Sequence, residues 1–221
     1  MINKKSDLTT IYVVRHGESE SNVYAHENPD KAASHFGEFG ASLTKKGSEQ
    51  AKLLAQRLQK VHFSAFFSSD LHRAKETAEI VAKNYNLPIQ TDRALRERSF
   101  GEPMSNKKKK EIETRLKKLN DQEKFSFKYF PNGESIYDII ERFKKSLKKI
   151  ISEHKNETIL IVSHGYVLRA FLIAEHFMKF DELPPGAIRN AAYFVVTTDG
   201  TSFNLIEKHG ITKNRGYDNE E

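Results

Sequence analysis

The chain has 221 residues, with 36 Lys+Arg against 30 Asp+Glu for a formal net charge of +6, and 38% of it is hydrophobic. That length fits one domain, residues 1–221, with room for an insertion and a core that needs no covalent staple. The absence of cysteine excludes disulfides, zinc–thiolate sites, iron–sulfur clusters and a cysteine nucleophile together.

The first ten residues are polar and lack the apolar region of a signal peptide. Ile11-Tyr12-Val13-Val14 is a β-branched and aromatic run that predicts a buried strand. A loop rich in small and polar residues is expected from Asn22 to about Ser42. Thr44 is a candidate N-cap for a helix carrying Ala51, Leu54, Ala55 and Leu58 at helical spacing. Ala65–Ser68 reads as a short strand. Ser69 or Asp70 is the candidate cap of a helix with the stripe Ala74, Thr77, Ala78 and Val81. Leu87-Pro88-Ile89 ends that pattern and starts an extended segment.

Between Pro103 and Phe130 the periodicity weakens. Lys107–Lys110 followed by Glu111, Ile112, Leu116 and Leu119 predicts a short, basic, exposed helix, and residues 103–130 read as a small helical lid insertion. After Pro131-Asn132-Gly133 comes an amphipathic helix with Ile136, Ile139, Ile140, Phe143, Leu147, Ile150 and Ile151 on one stripe. Thr158–Ser163 is a second apolar strand, and a helix from about Tyr166 to Met178 should follow. Ala192–Thr198 and Ser202–Ile206 flank Asp199-Gly200, a hairpin signal. Residues 212–221 read as a flexible tail. The alternation predicts an α/β fold, a three-layer α/β/α sandwich with a mostly parallel central sheet.

The basic charge is local. From Pro103 to Lys155 there are 15 Lys+Arg and 8 Asp+Glu, a net of +7, and the rest of the chain carries 21 and 22, a net of −1. No nucleic-acid motif with interleaved aromatics accompanies it, so the charge points to attraction for a small anionic substrate and not to nucleic acid. No apolar run approaches the roughly 20 residues of a spanning helix, so no membrane partner is expected and the simplest location is the cytoplasm. Oligomeric state is not legible.

Two places share one pattern. Val13-Val14-Arg15-His16-Gly17-Glu18 and Ile161-Val162-Ser163-His164-Gly165-Tyr166 each run from a buried strand into His-Gly. Open α/β sheets bind ligands outside the carboxyl ends of their strands, so two imidazoles there can face one pocket. The other histidines are scattered with no metal-ligand spacing, so no metal and no cofactor are expected.

Arg15-His16-Gly17-Glu18 with Asn22 resembles the signature of the histidine phosphatase superfamily, the phosphoglycerate mutase-like fold. Ser68–Ala78, containing Arg73, resembles the second arginine motif. Leu95-Arg96-Glu97 with Phe100-Gly101-Glu102 resembles the acid/base segment. Gly133-Glu134-Ser135 and Ser163-His164-Gly165 are also similar to family motifs, and their order holds from about Ile11 to Thr198. The resemblance implies that His16 attacks phosphorus and becomes a phosphohistidine, without a metal. It implies that Arg15, Arg73, His164 and Asn22 bind the phosphoryl oxygens, and that Glu97 is the general acid and base, with Glu18 and Glu102 as alternatives.

The expected activity is a phosphomonoester hydrolase of the histidine acid phosphatase type, acting on a small phosphorylated substrate. A phosphoglycerate mutase is the alternative, and a catalytically weak binding or regulatory module is the alternative of another class. Family mutases carry a tryptophan-containing stretch before Leu-Thr, whereas this chain has no tryptophan.

Overall fold

The computed structural model describes residues 8–28, 40–102, 111–112, 114–184 and 186–213. Among these, six strands form one sheet: β1 (Thr9–Arg15), β2 (Ala65–Ser68), β3 (Ile89–Thr91), β4 (Thr158–Ser163), β5 (Ile188–Thr198) and β6 (Phe203–Ile211), in the order β3-β2-β4-β1-β5-β6. β3, β2, β4 and β1 are parallel neighbours, and β5 and β6 add an antiparallel hairpin beside β1. The helices include α1 (Glu20–Glu27), α2 (Lys45–Leu58), α3 (His72–Ala82), α4 (Asp121–Ser126), α5 (Ile136–Glu153) and α6 (Gly165–Ala174).

Strand side chains alternate between two cores, as a period of two requires. Ile11, Val13, Phe67, Ile159, Ile161 and Phe194 pack with the stripes of α5 and α6. Val14, Phe66, Leu160, Val162 and Val195 pack with those of α2 and α3 on the other face. This is the three-layer α/β/α arrangement, and both faces of the central strands are dry because helices cover both.

Several local expectations shift. Helix α1 occupies the start of the expected 22–42 loop. It has no apolar stripe, and only Ser21 is buried along it. Residues 29–39 lie outside the described residues. Thr44 caps α2, accepting from Gly47 N. Neither Ser69 nor Asp70 caps α3, whose N-cap is Leu71. Ser69 and Asp70 instead bind His164 and Arg96. Lys107–Lys110 fall outside the described residues. Of the helix expected after them, residues 111–112 and 114–116 are helical, with Ile112 buried against Phe100, and α4 follows. Helix α6 ends at Ala174, four residues before Met178. The hairpin strands are longer than predicted, since β5 begins at Ile188 and β6 runs to Ile211. Of the expected tail only Thr212 and Lys213 are described, and Thr212 N donates to Ala187 O.

Candidate active site

Strand register brings the two His-Gly motifs together. Arg15 lies beside Ser163 across the β1–β4 pair, so His16 and His164 leave adjacent strand ends in step. Their rings stand 5.0 Å apart, centroid to centroid. Ser68 of β2 pairs with Val162, which places Ser69 at the same edge, and Ser69 Oγ lies 2.8 Å from His164 Nε2. The edge is the carboxyl end of the parallel strands, where open α/β sheets hold ligands.

His16 is buried and its tautomer is set by its partners. Nδ1 sits 2.6 Å from Gly17 O. A carbonyl only accepts, so Nδ1 carries the proton and Nε2 keeps its lone pair. Arg73 Nε donates to that nitrogen at 3.3 Å. Burial first, then the Arg73 and Arg15 guanidinium charges, hold the His16 pKa well below the ordinary imidazole value. The ring is therefore neutral, with its lone pair facing a cationic cradle. Arg73 reaches the site from the first turn of α3. The same helix fixes the His16 loop, because Thr77 Oγ1 accepts from Gly17 N at 3.1 Å while donating to Arg73 O. Arg15 Nη1 donates to Ile188 O, and its charge acts on His16, Arg73, Glu97 and His164 alike.

His164 is fully buried, and its Nδ1 has no hydrogen-bond partner. Burial, then Arg73 and His16, keep it uncharged. Ser69 Oγ accepts from Leu71 N at 3.3 Å and lies 2.8 Å from His164 Nε2, so the serine hydroxyl is the polar partner of the imidazole's Nε2 side while Nδ1 is unpartnered.

Glu97 lies just beyond a 3-10 turn (Arg93–Leu95) capped by Asp92. Three devices hold this segment. Leu95 is buried, and its carbonyl accepts from Ser163 Oγ at 2.8 Å. Arg96 makes a two-pronged ion pair with Asp70. Arg142 of α5 forms a second fork on Glu134, at 2.7 and 3.0 Å, and also donates to Ala94 O and Glu97 O. The half-buried Glu97 carboxyl accepts from Arg98 N at 2.8 Å and Tyr166 N at 3.5 Å. Burial pushes its pKa up, against those two amides and the Arg73 and Arg15 charges. The structure thus brings Glu97 within the field of the arginine–histidine cluster.

The alternative carboxylates are placed otherwise. Glu18 turns to the start of α2, accepting from Thr44 Oγ1 at 2.9 Å and lying 3.7 Å from Lys46. Glu102 is exposed. Asn22, near the start of α1, uses Oδ1 to accept from Ser19 N, Ser19 Oγ and Asn190 Nδ2. Ser69, Arg142 and Asn190 are site residues that the sequence does not single out. Ser69 lies inside the second arginine motif, which is a usable signal, but Arg142 and Asn190 carry none. Among the described residues no group of three or more His, Cys, Asp or Glu side chains is placed to hold a metal ion, and no helix is long and apolar enough to cross a membrane.

This arrangement offers an imidazole nitrogen whose lone pair meets only an arginine N–H, two guanidiniums, a second neutral imidazole with an unpartnered Nδ1, and a carboxyl whose pKa burial raises. It is suited to nucleophilic attack on a bound oxyanion followed by proton transfer to a leaving group.

Residues 11–209 match the family model of the histidine phosphatase superfamily, branch 1. The chain is 34% identical over 168 residues to phosphoglycerate mutase-like protein 4 of Arabidopsis thaliana, covering 74% of this chain and 70% of that protein. It is 27% identical over 216 residues to phosphoserine phosphatase 1 of Hydrogenobacter thermophilus, covering 95% of each. The solved structure of YhfR from Bacillus stearothermophilus superposes with a TM-score of 0.73 at 29% identity, covering 93% of this chain and 98% of that one.

Proposed function

The chain belongs to the histidine phosphatase superfamily, branch 1, and we propose that within it the protein is a metal-independent phosphomonoester hydrolase that works through a phosphohistidine on His16. The observation that carries this reading is the buried, neutral His16, with its Nδ1 proton on Gly17 O and its Nε2 lone pair among cations.

The His16 Nε2 lone pair attacks phosphorus, the P–O ester bond breaks, and the Glu97 carboxyl proton passes to the departing oxygen. Arg15 and Arg73 offset the charge on the non-bridging oxygens, because planar guanidiniums match pairs of phosphoryl oxygens. His164 Nδ1–H and the Asn22 amide add neutral donors as that charge redistributes. Phosphorylated His16 is cationic, and its Nδ1–H bond to Gly17 O strengthens with that charge. Glu97, now a carboxylate, takes a proton from water, hydroxide attacks phosphorus, and the P–N bond breaks. Inorganic phosphate leaves, and His16 and Glu97 return to their starting states.

Burial raises the Glu97 carboxyl while burial and the arginines depress His16, which pairs a protonated acid with a neutral nucleophile, the combination that the proposed histidine acid phosphatase type requires. The substrate is a small phosphorylated metabolite. The Hydrogenobacter thermophilus relative, matched over 95% of its length, is named for phosphoserine, which makes a phosphorylated amino or hydroxy acid the first class to assay.

A second reading, phosphoglycerate mutase, draws on the Arabidopsis relative's name. It returns the phosphoryl group to substrate instead of water. The deciding experiment supplies phosphoserine, 3-phosphoglycerate and p-nitrophenyl phosphate in EDTA. Free phosphate from the wild type and none from His16→Ala is the expected result. Conversion of 3-phosphoglycerate to its 2-isomer without net phosphate would replace hydrolase by mutase. Full activity in His16→Ala would overturn both.

A further inference from the structure

Strand β5 carries an irregularity that the sheet does not need. Ile188 pairs with Ile211 and Tyr193 with His209, so five steps along β5 span the interval that two cover on β6. The additional residues loop out at the end of the strand beside His16. Ala191, within the loop, sits at φ 56°, the left-handed region that a non-glycine residue enters only when its surroundings impose it. Opposite it, Gly210 adopts φ 67°, and a Cβ there would meet Ala192 Cβ at 2.9 Å. The bulge thus draws on two special backbone positions. Bulges beside active sites re-aim side chains, and this one aims Asn190.

Ala191 N and Asn190 Nδ2 both donate to His16 O, each at 3.2 Å. A backbone carbonyl only accepts, so the Asn190 amide has one permitted orientation, with its NH2 toward His16. The same Nδ2 lies 3.2 Å from Asn22 Oδ1. Ser19 N donates to that oxygen at 3.1 Å and Ser19 Oγ at 3.0 Å. With three donors gathered on Oδ1, flipping the Asn22 amide would set its NH2 against N–H groups. The Asn22 Nδ2 is left as the group that can meet a ligand.

We infer that Asn190 is a positioning residue which, braced on the His16 carbonyl by the β5 bulge, fixes the Asn22 amide so that its NH2 group faces the transferred phosphoryl group. This rests on the proposed phosphoryl-binding role of Asn22. Asn190 itself touches no reacting atom. It acts through Asn22, and its bond to His16 O couples the two residues that must be correct together.

A double-mutant cycle tests the inference. kcat and KM for p-nitrophenyl phosphate, and the inhibition constant of orthovanadate, are measured for the wild type, Asn190→Ala, Asn22→Ala and the double variant, with melting temperatures alongside. Asn190→Ala is expected to lower kcat/KM about tenfold, in line with loss of one orienting hydrogen bond, and to weaken orthovanadate. The double variant should fall within about twofold of Asn22→Ala alone, because Asn190 has nothing left to orient. Asn190→Asp should be worse than Asn190→Ala, since a carboxylate would oppose both the His16 carbonyl and Asn22 Oδ1. Asn190→Ser, which keeps one donor, should recover part of the loss at an unchanged melting temperature. Independent losses that multiply in the double variant would overturn the inference, as would an inert Asn190→Ala. If Asn22→Ala retains full activity while His16→Ala is dead, the role of Asn22 falls and the inference falls with it, but the phosphohistidine reading stands. If His16→Ala is active, the failure belongs to the proposed function.

Discussion

Ser69→Ala removes one oxygen from a fully buried position just beyond β2, and with it the polar contact at His164 Nε2. Ser69 Oγ accepts from Leu71 N at 3.3 Å and lies 2.8 Å from His164 Nε2; the proposed Nδ1–H donation by His164 to the phosphoryl group requires Nε2 to accept the Ser69 proton. Without the hydroxyl, no partner holds Nε2 as an acceptor, and the Nδ1–H donor that the proposed mechanism uses is no longer favoured. A hydrogen bond to a buried polar partner is worth about 1–3 kcal/mol when one partner is removed. At about 1.4 kcal/mol per decade, that is a loss of roughly 5- to 150-fold in kcat/KM. The loss should fall on kcat, since the donor gains importance as charge builds in the transition state. Steady-state kinetics gives the factor, and nitrogen-15 NMR of His164 reports the tautomer directly. Wild-type kcat/KM in Ser69→Ala would rule out a role for Ser69 in setting the His164 donor.

Three further outcomes are expected. The competent form pairs neutral His16, whose pKa is depressed, with protonated Glu97, whose pKa is raised. kcat/KM should therefore fall as pH rises through the raised Glu97 value, and Glu97→Gln should abolish that limb of the pH profile. Arg142→Met cuts the fork to Glu134 and the donors to Ala94 O and Glu97 O. It should lower kcat/KM at least about tenfold and cost about 1–3 kcal/mol of stability in urea denaturation. Gly47→Ala would put a Cβ 1.9 Å from Glu18 O, backbone that cannot move without shifting the His16 loop. It should cost at least about 2 kcal/mol and lower activity in parallel, read as a fall in melting temperature with kcat.

The parts of this molecule legible in its sequence are those written in apolar periodicity or short motifs. Ile11–Val14 and Ile159–Val162 give the central strands, and the stripe from Ile136 to Ile151 gives α5. The His-Gly pair is legible from where those strands end. Helix α1 is hidden because its burial is almost wholly polar, so no stripe betrays it. Asn190 is hidden because the bulge that aims it uses Ala191 at positive φ, and alanine carries no turn signal. Arg142 is hidden for another reason. It sits in a helix rich in lysine, where one more cation reads as surface, and only the fold shows it turned onto Glu134 and the Glu97 backbone. Pairing partners distant in sequence are set by topology, and that information is spread over the whole chain.

The proposed mechanism places a covalent phosphoryl group on one nitrogen, Nε2 of His16. Rapid acid-free quenching of the wild-type enzyme during turnover of p-nitrophenyl phosphate, followed by peptide mass spectrometry and phosphorus-31 NMR, tests it directly. An acid-labile, base-stable phosphoryl group on Nε2 of His16, absent from His16→Ala, is the predicted result. Turnover with no phosphoenzyme, or with the label on any other residue, would contradict the account.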